Sequence, residues 1–498
     1  MSKYQTQQTK KLKTHPYEQF KGIDTTRALI SLESGEGQLL TELNNAYPDA
    51  QGQIVRDSCA KPRASSNRVI RHIRHLNNDE VFWIEEYGNA LRFQTDTNSL
   101  DEDIYPINAT VSSVIFNQKL HIFSKGLPTY SYDGVRWERN QSSDLNVIRP
   151  GFAASVQRRL FVAGGTSQPT RIWVSRVDNE EIWPDDEEPD STNVLRAAYF
   201  DVGNLLGTAD KVTGLGAFEQ NKLAVFTSDK TFIYNIDPSI DLWKLDDRSN
   251  VNVGCVSHNT ICQASSDLIF CSRTGVYAIR RSTENGIMIS QVPMSDRIQS
   301  LYRSLLRSVP NPSEINAVWD SDYFRYHIYF PQTGNISKRL SLSFSVEGEP
   351  QWSTGDFLGT RCADFLAGNL VVGTSGGTFT VQQPEVTSGV VPECSFTTPI
   401  LWQGSLSSPK QAHSLILQAS GSGRVLVEAF DEQDRPLKTL AFDIEDTQGD
   451  EHIPSRSLHR QYEQQLPIRY IGLQLRFTIT SRVGGLLRIV GFAITTES

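Results

Sequence analysis

The residues Gly373 to Gly377, GTSGG, match the Gly-x-Ser-x-Gly pattern of a serine nucleophile on a sharp elbow. That chemistry needs Ser375 on a strand-to-helix turn. Residues 370–372 and 378–381 both read as strands, so the pattern is a hairpin loop and Ser375 is not expected to be catalytic. Asp185, Asp186, Glu187, Glu188 and Asp190 could suggest a calcium loop. They lack the alternating spacing and the turn glycine of such a loop, and read as a solvated charge run. Cys255, His258, Cys262 and Cys271 are close in sequence but straddle a strand. Structural zinc sites present paired ligands at short, regular spacing, so core packing is expected here instead. No His-Glu-x-x-His and no phosphate-binding glycine loop occurs. A carboxylate pair for glycoside hydrolysis would be spatial, and nothing singles one out. The expectation is a protein that is not an enzyme, with no catalytic, cofactor-binding or metal residue assigned and no cofactor.

The elements that would carry these residues repeat. In GLGAFEQNKLAVFTSDKTFIYNI, residues 214–236, a polar turn precedes an apolar strand, and a second turn leads into another strand. The same turn-strand-turn-strand unit begins its first strand near Val81, Leu120, Leu160, Leu223, Leu268, Tyr326 and Leu370. Asn, Asp, Ser, Gln and Gly suit the turns, and β-branched and aromatic residues suit the strands. Most spacings are about 40 to 45 residues, the size of a four-stranded propeller blade. Trp137, Trp183, Trp243 and Trp352 each follow a second strand, where a large ring could plug the gap between blades. The stretch SYDGVRW, Ser131 to Trp137, resembles the Asp-box of sialidase-type propellers, one residue short. Such boxes shape turns and do no chemistry.

Two longer spacings hold insertions. One is the acidic segment already named. The other contains Ile298, Leu301, Tyr302, Leu305, Leu306 and Val309 on one helical stripe, with Ser295 or Asp296 as cap and Pro310 as stop. After residue 387 strands alternate apolar and polar residues, as a β-sandwich would. The expected fold is all-β: a six- or seven-bladed β-propeller over 66–387, a C-terminal β-sandwich over 388–498, and an N-terminal arm and lead-in segment over 1–65. The chain of 498 residues is 38% hydrophobic and 21% charged, ordinary for a folded protein. A net charge of −9 argues against a protein that grips nucleic acid with a basic face. It leaves room for one that lets nucleic acid slide past. No apolar run suits a membrane helix, and the polar, basic start shows no signal peptide. The six scattered cysteines read as reduced thiols of a protein assembled in a cytosol.

Several stretches together resemble a known family. FKGIDTTRALISLESGEGQLLTELNNAYPDAQGQIVRDSC, with a turn carrying Asp49, Gly52, Ile54 and Arg56, resembles the start of tail-tube and neck components of short-tailed bacteriophages. KVTGLGAFEQNKLAVFTSDKTFIYNI with NVGCVSHNTICQASSDLIFCSRTGVYAI is similar to the propeller core of the packaged-DNA stabilisation, or tail hub (nozzle), family. The segment SDRIQSLYRSLL and the ending PIRYIGLQLRFTITSRVGGLLRIVGFAI are similar to that family's helix and last strands. The acidic insertion has no counterpart there. The resemblance implies a structural virion protein, assembled in the host bacterial cytoplasm. Six copies would form a homo-oligomeric ring below the portal and the adaptor, or head-to-tail connector. The ring would continue the channel for double-stranded DNA, retain the packaged genome, and support tail fibres, spikes or a needle-like plug. Two other readings stand beside it: a propeller enzyme acting on polysaccharide, and a cellular propeller scaffold for protein binding.

In such a ring the five acids would face either the DNA lumen or an external partner, and long insertions at propeller rims favour the partner. Changing Asp185, Asp186, Glu187, Glu188 and Asp190 to Asn or Gln is therefore expected to impair assembly with a fibre or adaptor while DNA retention stays normal. Normal assembly with slowed, salt-sensitive ejection would assign the loop to the lumen. No change in either leaves a solvated surface.

Overall fold

The computed structural model describes residues 12–26, 38–65, 68–77, 80–100, 102–184, 193–206, 210–246, 252–282, 286–290, 292–334, 336–344, 350–381, 390–403, 406–445, 460–481 and 487–497. The chain divides into two compact units, one of residues 62–340 and 358–381, the other of 1–61, 341–357 and 382–498.

The first unit is a ring of antiparallel blades. Six are four-stranded sheets, five of them built from consecutive strands. The first blade contains Ile70–His75, Val81–Tyr87, Ala90–Thr95 and Tyr105–Pro106. The second contains Val111–Phe116, Lys119–Ser124, Tyr130–Tyr132 and Trp137–Arg139, and the third Phe152–Val156, Arg159–Ala163, Arg171–Val174 and Ala198–Asp201. The fourth contains Val212–Phe218, Lys222–Thr227, Thr231–Asn235 and Lys244–Leu245, and the fifth Cys262–Ala264, Asp267–Cys271, Val276–Ser282 and Gly286–Ile289. The sixth holds Asn316–Asp320, Arg325–Pro331 and the first residues of Ser337–Phe344. In the seventh, Cys362–Leu366, Asn369–Thr374 and Gly377–Val381 take their outermost strand from far upstream, Ala60–Ser65. The Ala64 amide donates to Thr378 Oγ1 at 3.2 Å in that closure. Each blade's first strand packs beside the next blade's first strand, and the seventh packs beside the first. The ring therefore closes at seven.

The seven unit starts visible in the sequence all fall on second strands. These strands are apolar at successive positions because both faces are covered: all five residues of Arg159–Ala163 and all seven of Arg325–Pro331 are buried. Three tryptophans fill seams between blades. Trp137 lies 4.3 Å from Tyr132 of its own blade and 5.0 Å from Phe93 of the first. Trp183 is fully buried against Phe116 and Phe123 of the second blade and Leu160 and Val162 of the third. Trp243 lies 5.7 Å from Phe161. Beside that last seam Arg159 is fully buried, donating to Ser175 O at 3.0 Å, Arg196 O at 2.7 Å and Pro238 O at 3.0 Å. Its guanidinium also sits 5.6 Å from the Trp243 ring.

The helical insertion forms as a 3-10 turn, Asp296–Ile298, followed by an α-helix, Gln299–Ser308. Ile298, Tyr302 and Val309 are buried, whereas Leu301, Leu305 and Leu306 are only half-buried. Tyr302 anchors the helix by donating to Ser272 O at 2.5 Å. Ser295 does not cap it, because its hydroxyl accepts the Val276 amide at 3.1 Å. Val309 is extended, as a residue before proline prefers, and the helix stops there.

Besides a parallel pair of short strands, Phe20–Ile23 with Gln38–Leu40, the second unit contains two large sheets. One runs Arg460–Gln465, Lys410–Ser420, Arg488–Glu497, Ile54–Arg56, Ala46–Pro48, with Leu12–Glu18 also paired to Arg488–Glu497. The other includes Pro350–Gly355, Glu42–Asn44, Cys394–Thr397, Leu473–Ser481, Gly423–Asp431 and Pro436–Ile444 in that order. The N-terminal segment thus supplies strands to both. A column of rings ties the layers: Phe20 lies 5.6 Å from Phe396, Phe396 4.3 Å from Phe477, and Phe477 5.1 Å from Phe492. The turn from Asp49 to Arg56 is a tight hairpin. Asp49 Oδ1 accepts the Gln51 and Gln53 amides, both at 2.9 Å, and Gly52 has φ +75°. A Cβ at Gly52 would stand 2.8 Å from Gln19 Cα, so glycine is required there twice over.

Close backbone approach also fixes Gly254, where a Cβ would fall 2.2 Å from Thr227 O and 2.3 Å from Ser228 C. Gly254→Ala is expected to lower stability by about 3 kcal/mol or more, because backbone on both sides must move. Gly376→Ala, with no atom nearer than 3.9 Å, is the control and should change it by less than about 0.5 kcal/mol. Thermal denaturation of the two variants reads the difference.

Candidate functional site

The chemical motifs of the sequence land as follows. Thr374 and Gly377 pair across the turn that carries Ser375, and Thr374 Oγ1 accepts the Gly376 amide at 3.0 Å. Ser375 is thus at the tip of a hairpin between two strands. Asp133 accepts the Arg136 amide at 2.7 Å and the Val135 amide at 2.8 Å, and these bonds hold its carboxyl below the usual range. It shapes a turn, as an Asp-box residue does. Cys255 Sγ donates to Ser257 O at 3.1 Å, Cys262 Sγ to Ala317 O at 3.4 Å, and Cys271 Sγ lies 3.6 Å from Tyr326 Oη. Burial pushes the Cys255 thiol up to about 11 and the Cys271 thiol up to about 12. All six cysteines are free thiols, and no group of His, Cys, Asp or Glu among the described residues is arranged to hold a metal. Asp185, Asp186, Glu187, Glu188 and Asp190 lie outside the described residues.

The first strands of the blades bring other residues together around the ring's axis. A cavity of about 260 Å³ is lined by His72 and Arg74 of the first blade, Ser113 of the second, His258 and Asn259 leading into the fifth, and Asp364 of the seventh. His72 Nε2 is 2.8 Å from Ser113 Oγ. Burial, with the nearby Arg74 charge, lowers the His72 pKa to about 4, so the imidazole is neutral near pH 7 and able to accept the hydroxyl. His258 accepts the Leu215 amide through Nδ1 at 3.3 Å, and burial and Arg74 lower its pKa to about 3.

Asp364 is engaged elsewhere. It accepts both the amide of His75 at 2.7 Å and its Nδ1 at 2.9 Å, with Arg74 at 3.3 Å. Burial alone would raise the Asp364 carboxyl, but Arg74 and the His75 bonds outweigh it and hold the group below the usual carboxylate range. Serine and acid therefore belong to separate pairs, Ser113 with His72 and Asp364 with His75. A triad needs one histidine to bridge both. The pocket offers neutral donors and acceptors around one compensated ion pair, which suits recognition of polar groups.

A larger cavity, about 550 Å³, shares His258 and Asn259 with the first. It opens among the turns between second and third strands and the connections into first strands, where Lys125, Lys211, Thr166 and Phe152 line it. Of these axial residues the sequence singles out His258 alone, and as a candidate for core packing. Polar side chains on a first strand read like the solvent face of any half-buried strand.

No family model and no curated protein matches the chain. Among solved structures it is similar to YCF48 from Cyanidioschyzon merolae, at 13% identity and TM-score 0.37, covering 65% of this chain and 99% of that one. It is also similar to a catalytically inactive virginiamycin B lyase from Staphylococcus aureus in complex with quinupristin, at 9% identity and TM-score 0.41, covering 65% and 98%. A third is the Aleuria aurantia lectin, at 12% identity and TM-score 0.32, covering 59% and 96%. With identities this low, the seven-bladed architecture rests on the strand order described above.

The neutral axial histidines make the ring acid-sensitive. The unfolded chain binds their protons near the ordinary pKa of 6.5, whereas folded His72 does so only near 4. Stability is thus complete above the upper value and lost as pH falls through that window, on the order of 3 kcal/mol for His72 alone. His121, lowered to about 4 by burial, acts in the same direction. Melting temperature measured between about pH 7.5 and about pH 4 should fall for the native chain and fall less for His72→Gln. An unchanged slope in the variant would remove His72 from the account.

Proposed function

We propose that this chain is a structural protein of a short-tailed bacteriophage tail: a hub, or nozzle, that assembles as a ring below the portal and adaptor and lines part of the DNA exit channel. The observation that carries the reading is the likeness of the two ends of the chain to that family's ends, together with their shared compact unit. The Asp49-to-Arg56 turn and the final strands, Leu473–Ser481 and Arg488–Glu497, belong to one two-layered body. Ile54–Arg56 pairs directly with Arg488–Glu497. Segments that carry a family likeness separately, and then fold against one another, support a common origin better than either alone.

The physical properties suit the task. A closed propeller leaves only short, protected sheet edges around its ring and makes a stiff wall. A net charge of −9 lets phosphate backbones pass, where a basic lining would bind them in a salt-dependent way. Fibres, spikes or a plug would dock on rim insertions. The scaffold role is the coarse form of this reading, and the tail position its finer form.

The test is assembly. Purified full-length chain, alone and mixed with any portal and adaptor proteins that its locus encodes, is weighed by mass photometry and imaged by electron microscopy. The expected result is a closed ring of about six copies, since repeated head-to-tail contacts close into rings. A chain that stays monomeric under all these conditions, from a locus without portal or adaptor genes, would overturn the reading.

A further inference from the structure

Lys125 and Lys211 stand at the mouth of the 550 Å³ cavity, and neither ammonium has an acid or hydrogen-bond partner among the described residues. Lys125 comes from the turn between second and third strands of the second blade, and Lys211 from the connection into the fourth. The nearest acid in sequence, Asp210, is turned away, accepting the Ser228 amide at 3.1 Å and the Lys211 backbone amide at 2.7 Å. The two like charges are close enough to repel: burial and the Lys211 charge together lower the Lys125 pKa. Unpaired like charges held over a concave pocket are an unfavourable arrangement that an anion would relieve.

The rest of the lining limits what the anion can be. Most polar groups of the wall are already engaged inside the protein. Ser257 Oγ donates to Ile315 O at 2.8 Å, Thr213 Oγ1 to Cys255 O at 2.8 Å, and Asn259 Nδ2 to Val111 O at 2.8 Å. Thr166, beside the lysines, has no such partner among the described residues. One wall is the half-buried ring of Phe152, stacked on His258 with centroids 5.0 Å apart. Gly164, at φ +79°, lets that ring lie against the backbone, because a Cβ there would meet Phe152 Cε1 at 2.7 Å. The cavity therefore pairs a cationic rim with an apolar wall, at a volume typical of small-molecule sites.

We infer that this cavity binds a small organic anion, of hexose to nucleotide size, whose phosphate or carboxylate is held by Lys125 and Lys211 and whose ring lies along Phe152. Two lysines are too few to track a nucleic-acid backbone. The site is independent of ring assembly and of the tail reading, since all its residues lie within one propeller.

The experiment uses the full-length chain and ligand-observed NMR or calorimetry, with glucose 6-phosphate, glucuronate and neutral glucose as probes. The expected result is a dissociation constant of about 1 mM for at least one anion, with glucose at least about tenfold weaker. Preference for the phosphate or for the carboxylate identifies the source of the anion. The double variant Lys125→Gln, Lys211→Gln should weaken the anion about tenfold or more, and Lys125→Arg, Lys211→Arg should retain it. Both lysines are exposed, so the melting temperatures should match that of the native chain, which separates lost binding from lost folding. Equal binding of glucose, undiminished binding by the Gln variant, or no binding of either anion at about 50 mM would overturn the proposal.

Discussion

The seventh blade cannot be completed from its own stretch of chain. Its outermost strand is Ala60–Ser65, about as far upstream as the propeller begins, paired beside Gly377–Val381. An unpaired strand edge is both a loss of hydrogen bonds and a template for aggregation. The ring avoids both only when the two ends of the propeller chain meet. Bringing them together closes a very long loop, which costs entropy before the contact returns anything. Everything else in the ring, including the converging first strands at the axis, depends on that one strand pairing.

Within the closed ring, apolar and polar residues are separated by position along each blade. Second strands, covered on both faces, hold the apolar core, and Trp137, Trp183 and Trp243 fill the seams where twisted sheets leave wedge-shaped gaps. First strands face the axis, where space remains. There the buried polar side chains satisfy one another in pairs, Ser113 with His72 and Asp364 with His75. The neutral imidazoles of His72 and His258 add no charge to the axis.

This separation also explains what could be read from sequence. The hairpins of second and third strands are local, apolar and bounded by turn residues, so seven starts such as Leu223 and Leu268 stand out. Closure does not, because Ala60–Ser65 is short, polar and paired with residues more than three hundred positions away. The N-terminal strands escaped for the same reason: Glu42–Asn44, Ala46–Pro48 and Ile54–Arg56 have three residues each, too short for a period. The helical stripe was visible, but not that Tyr302 alone within the helix would be buried, or that Ser295 would serve a neighbouring strand. His72, Ser113, Lys125 and Lys211 lie on four segments with no shared spacing. Only the ring brings them near one axis.

Arg159 has a mechanical consequence. Its guanidinium grips carbonyls on the third blade's third-strand exit, Ser175, on the returning end of the acidic insertion, Arg196, and on the fourth blade, Pro238. The root of the insertion is thereby cross-linked to two blades at once. A force applied to the insertion would not peel strands off one blade in sequence, like a zipper. It would load the three bonds together and spread into the seam packed by Trp243. The returning root of the insertion is thus fixed at a seam between two blades.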